Sequence, residues 1–127
     1  MAFRFYNPNP KRLVVGDCVI RAMSKLFDAE WDDMYAQVSL QGFKMKDMPS
    51  SDAVWSECLV ERGFQAVAPI CQFNTPPCTV RSFAETHSTG RFLLFIGSHV
   101  VTVVNGDYYD TWDSGDEVPW FYWRKDG

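Results

Sequence analysis

Apolar and polar positions divide this chain into a helical first half and a strand-like second half. From Cys18 to Phe27, the residues Val19, Ala22, Met23 and Leu26 fall at i, i+3, i+4 and i+7, the spacing that gathers side chains on one face of a helix. Glu30 to Leu40 repeats that spacing with Trp31, Met34, Tyr35 and Val38, so two helices are predicted to pack together. Gln41 to Pro49 loses the period and carries Lys44, Lys46 and Asp47, which predicts an exposed connection. Ser51 is placed to cap a third helix, on which Trp55, Cys58, Leu59 and Arg62 share a face before Gly63 ends it. Cys58 is thereby assigned to the core.

Beyond this helix the period changes. A short extended piece is expected near Gln65 to Ala68, a loop at Pro76-Pro77, and a short helix capped by Thr79 that turns Val80, Phe83 and Ala84 inward. Arg91 to Ile96 is almost wholly apolar, as in a central strand buried on both faces, and His99 to Val104 is β-branched and alternating. Asn105-Gly106 predicts a type I′ turn into a strand from Asp107 to Trp112, and Trp120 to Arg124 forms a last strand. Pro8 and Pro10 keep the opening segment extended. The predicted class is α+β, with N-terminal helices packed on a C-terminal antiparallel sheet.

Composition narrows the picture. The 127 residues, 46% hydrophobic and 16% aromatic, suit one domain, residues 1–127, with a substantial core. Twelve Lys and Arg stand against 16 Asp and Glu with no basic run, so no nucleic-acid partner is expected. No 18-residue apolar run and no apolar leader follow Met1, so no membrane association is expected and a cytoplasmic location, bacterial or in a phage-infected host, is. Without a secretion signal, Cys18, Cys58, Cys71 and Cys78 read as free thiols. Only two histidines and no close cysteine pair exist, so neither a metal nor another cofactor is expected.

The candidate chemistry is nucleophilic. Cys18 opens a helix, where unpaired N–H groups and the positive end of the dipole favour a thiolate. His99 begins a strand directly after Gly97-Ser98. If Asn105 and Gly106 are the two turn residues, Val104 pairs with Asp107, Val101 with Asp110 and His99 with Trp112. His99, Asp110 and Trp112 then project to one side of the hairpin, with Asp110 diagonal to His99. Thiol, imidazole and carboxylate are the three parts of a nucleophilic triad. Asp113 is the alternative orienter, reached if a bulge breaks the alternation. Asp17 reads as an N-cap of the first helix, and His87 as a cation at the end of the short helix before the sheet. Arg21 either pairs with a carboxylate or is solvated.

In this order of helix-start Cys, strand-start His and acid on the next strand, the chain resembles the papain-like cysteine peptidase superfamily. Asp110-Thr111-Trp112 is similar to the Asn-Ser-Trp of that superfamily. From about Val15 to Arg124 the chain also resembles a narrower group of small phage and bacterial proteins of this fold. That likeness rests on Gly16-Asp17-Cys18-Val19-Ile20-Arg21-Ala22, Gly97-Ser98-His99-Val100-Val101, Tyr109-Asp110-Thr111-Trp112-Asp113-Ser114 and Tyr122-Trp123-Arg124. The resemblance implies Cys18 as nucleophile, His99 as general base, Asp110 as orienter and Trp112 as a shield over their hydrogen bond. Where the papain family has its oxyanion glutamine this chain has Arg12, so the donors are sought in the Cys18 backbone N–H and in Asn7, Asn9 or Arg12. The implied function is hydrolysis of a peptide or isopeptide bond in a protein or peptide substrate. The alternative is an inactive module of the same fold that binds a protein partner.

Overall fold

A computed structural model describes residues 2–67 and 78–125. Cys71 and the Pro76-Pro77 loop lie outside the described residues. Ten elements follow in order: β1 (Phe3–Phe5), α1 (Cys18–Phe27), α2 (Trp31–Met45), α3 (Asp52–Glu61), β2 (Phe64–Val67), α4 (Val80–Thr86), β3 (Arg91–Phe95), β4 (Val100–Val104), β5 (Asp107–Asp110) and β6 (Phe121–Lys125). The fold is α+β, with one six-stranded sheet ordered β1-β5-β4-β3-β6-β2.

The sheet carries helices on both faces. Leu93 and Phe95 of β3, Val100 of β4 and Trp123 of β6 pack on the buried sides of α1, α2 and α3. Leu94, Val101 and Val103, one position out of phase, pack instead on Val80, Phe83 and Ala84 of α4. This alternation is why β3 and β4 read as continuous apolar runs. The β4–β5 hairpin has the expected register, Val104 with Asp107 and Thr102 with Tyr109. Asn105 and Gly106 both have positive φ, 49° and 86°, as a type I′ turn requires. Thr79 closes a capping box with Ser82 at the start of α4. His87 ends that helix, bonding the Phe83 carbonyl at 2.8 Å and stacking on the Phe83 ring.

Several expectations need correction. The sheet is not wholly antiparallel, because β1 pairs in parallel with the outer edge of β5 (Phe5 with Asp110), a strand that three residues were too short to announce. Helix α2 runs on to Met45 through the supposed connection, and Gln41 and Gly42 are buried there. Gly42 is pressed against the returning backbone, since a Cβ would lie 2.8 Å from the Asp47 carbonyl oxygen. Close packing thus holds a helical turn whose composition is polar. Asp17 stands at the N-cap position of α1 but makes no capping bond, its carboxylate being engaged elsewhere. The thiols are not all free: Cys18 and Cys58 are, whereas Cys78 is in a disulfide. Compartment governs whether such a bond persists, but only proximity of two sulfurs governs whether it can form. No helix among the described residues is long and apolar enough to cross a membrane.

Candidate active site

Helix α1 is fixed to the sheet by Thr102 of β4, whose hydroxyl donates to the Ala22 carbonyl at 2.6 Å. That joint sets Cys18, the first residue of α1, against the start of β4, where His99 lies. The Cys18 thiol and the His99 ring lie close enough that each shifts the other's ionisation. His99 Nε2 meets Asp110 Oδ2 at 2.6 Å, which leaves Nδ1 as the ring nitrogen for the sulfur. The three residues lie at the end of the sheet where β4 and β5 emerge.

Asp110 is fully buried and both its oxygens are engaged. Oδ2 accepts from His99 and from Ser114 Oγ at 2.8 Å, while Oδ1 accepts from the Thr111 N–H at 2.8 Å and from Arg21 Nη2 at 3.1 Å. Arg21 in turn donates through Nη1 to Asp17 Oδ1 at 2.6 Å, and Asp17 Oδ2 accepts from Trp31 Nε1 at 2.9 Å. Asp113 takes no part in this network, as its carboxylate holds the Tyr108 hydroxyl and the Gly115 N–H. The Trp112 ring lies 5.0 Å from the His99 ring, centroid to centroid, and is 45% exposed.

The electrostatics favour a charged pair. Burial pushes the Cys18 thiol up, but the bonds from His99 and from the Val100 N–H, with the charges of His99 and Arg21, outweigh it and hold the thiol below its ordinary range. Burial pushes His99 down, and the bonds and charges of Asp110 and Cys18 more than reverse this, raising it to about 9. Burial likewise raises Asp110, against which His99, Ser114 and the Thr111 N–H leave it net lowered. Near neutrality His99 therefore stands as imidazolium against the Asp110 carboxylate, and the Cys18 thiolate is more accessible than that of an ordinary thiol.

No family model, curated protein or solved structure matches this chain. The chemistry must be read from the site itself.

A cavity of about 600 Å³ opens beside Cys18 and His99. Its floor and walls are largely apolar, with Val15, Ile20, Trp31, Tyr35, Trp55 and Phe95 among the lining residues. Trp31 and Tyr35, which helical spacing assigned to a packing face, are stacked on each other in this wall at 5.0 Å. Of the three side chains considered as oxyanion donors, only Asn9 lines the cavity. Its Oδ1 accepts from the Lys11 N–H at 2.8 Å, and its amide NH₂ has no hydrogen-bond partner among the described residues. Asn7 is committed to the Leu13 carbonyl, and Arg12, in a left-handed conformation at φ 58°, is exposed and directed at the Asn7 carbonyl. Gly97, at φ 93°, lets Trp120 approach so closely that a Cβ would lie 3.0 Å from its ring. The Val100 N–H, Ser114 and the Trp31–Asp17 bond are contributors whose roles the sequence does not show, although Val100, Ser114 and Asp17 all stand in the short motifs quoted above and only Trp31 lies outside them. No three His, Cys, Asp or Glu side chains among the described residues converge to hold a metal ion.

Proposed function

We propose that this chain is a cysteine peptidase of papain-like architecture that hydrolyses a peptide or isopeptide bond. The observation that carries the reading is the Cys18 thiol set beside a His99 ring that is itself hydrogen-bonded to a fully buried Asp110, with Cys18 and His99 both lining a largely apolar cavity. The Cys18 thiolate attacks the carbonyl carbon, and the resulting oxyanion is met by the Cys18 N–H, left unpaired at the helix start, and by the Asn9 amide. His99 delivers its Nδ1 proton to the departing amine as the C–N bond breaks, leaving a thioester on Cys18. Water then attacks the thioester, giving a proton back to His99, and the carboxylic acid product leaves as the C–S bond breaks, restoring the Cys18 thiolate and the protonated His99. Trp112 covers the His99 ring and limits water at the His99–Asp110 bond. The apolar cavity takes the substrate side chain beside the scissile bond.

The test is a comparison of newly freed amines, both protein N-termini and lysine side chains, and of the proteins captured, in a bacterial lysate treated with the wild type or with Cys18→Ala. Amines freed by the wild type alone support hydrolysis. The same captured proteins with both, and no freed amines specific to the wild type, would show a binding module instead.

A further inference from the structure

We propose that Arg21 is a positioning residue for this site: one guanidinium, gripping Asp17 and Asp110 together, keeps the Asp110 carboxylate ionised and aimed at His99 and ties it to the cavity wall. The inference rests on the peptidase reading above. Arg21 lies three residues after Cys18 on α1, 4% exposed, with Nη1 on Asp17 and Nη2 on Asp110. Among the four donors to Asp110, His99 can lose its charge and Ser114 and Thr111 carry none, so Arg21 is the permanently charged one. This matters because an imidazolium bonded to a fully buried carboxylate can relax by passing the proton from nitrogen to oxygen, and a neutral His99 could not protonate a leaving amine. A fixed cation on the far carboxylate oxygen disfavours that transfer.

Stability alone does not call for the arrangement, since buried ion pairs are commonly matched by apolar side chains of similar volume. The remaining bond gives it a second role. Asp17 holds Arg21 with one oxygen and the Trp31 indole with the other, so the series runs from the cavity wall through Trp31, Asp17, Arg21 and Asp110 to His99. Lysine could supply the charge but not the planar two-pronged geometry.

The experiment is the pH profile of Cys18 carbamidomethylation by iodoacetamide in the wild type, Arg21→Lys, Arg21→Met and His99→Ala, with melting temperatures recorded for each. The charged and titratable groups around Cys18 are His99 and Arg21, with Asp17, Tyr35 and Asp52 in the cavity lining and Asp110 behind His99. Arg21→Lys is expected to slow alkylation at pH 7 by about threefold and Arg21→Met by about tenfold, an upward midpoint displacement of about half a unit and one unit. The far-downfield His99 Nε2 proton resonance should weaken in the same order. Profiles coinciding with the wild type, whatever the fall in melting temperature, would make Arg21 purely structural and overturn the proposal. If Arg21→Met does not fold, the Arg21→Lys midpoint decides in the same way. His99→Ala must itself displace the profile; if it does not, the triad reading fails and this inference falls with it. A displaced His99→Ala profile with unmoved Arg21 variants sinks the Arg21 assignment alone.

Discussion

At the scale of single residues, two cysteines in one chain differ through their surroundings. Cys18 faces an imidazolium and a backbone N–H, whereas burial, followed by the nearby Glu61 charge, pushes the Cys58 thiol up. Iodoacetamide at pH 7 should therefore modify Cys18 faster than Cys58 by about tenfold or more, read by peptide mass mapping. Equal rates would remove the activated nucleophile. Asp110→Asn should lower turnover on the order of 10²-fold, because the uncharged amide no longer stabilises the imidazolium. Asp113→Ala should leave turnover nearly intact while costing about 1 kcal/mol of stability through the freed Tyr108 hydroxyl. The reverse ranking would assign the orienting role to Asp113. Cys18, His99, Asp110 and Trp112 could be singled out from sequence because helix period and hairpin register fix where such residues point. Arg21 could not, since the same position accommodates a solvated charge or a buried one until a distant strand is placed beside it.

Elements show where local pattern suffices and where it fails. The Asn105-Gly106 turn determined its hairpin because positive φ at two successive positions admits few sequences. Strand β1 went unread because its pairing with β5 spans over a hundred residues and leaves no local period in three. Helix α2 extends past its apolar period into a polar stretch because its end is set by packing around Gly42 and not by composition. Two joints between elements can be tested directly. Thr79→Ala removes the cap of α4 and should cost about 1 kcal/mol in urea unfolding. Thr102→Val keeps the shape of β4 but deletes the bond to Ala22, with a stability cost of about 1 kcal/mol. If that joint registers Cys18 against His99, Thr102→Val should also slow Cys18 alkylation, and Thr79→Ala should not.

For the whole molecule, the charged pair makes stability depend on pH with a definite sign. His99 holds its proton more tightly folded than unfolded, so its contribution is full below about pH 6.5, its ordinary value, and is lost as pH rises through about 9. Cys18 and Asp110 run the other way: each contribution is present above its ordinary range and lost as pH falls through the lowered value. Urea midpoints should therefore decline on the acid side as Asp110 is protonated, and decline again above about pH 6.5 as the His99 contribution is lost, with the Cys18 thiolate offsetting part of that alkaline loss. In Cys18→Ser the alkaline decline should come earlier than about 9, because the thiolate's part in raising His99 is gone; an unchanged alkaline limb would mean the two residues are not coupled. The order of the chain adds a temporal consequence. Cys18 leaves the ribosome long before His99 and Asp110, by roughly 5–20 s at about 5–20 residues per second. Throughout that interval its sulfur is an ordinary thiol without a base, and β1, the strand that seals the edge beside Asp110, cannot pair before β5 has been made. A chain halted before residue 110 would thus carry Cys18 without the partners that lower its thiol, so its heightened reactivity would appear only after β5 has been made.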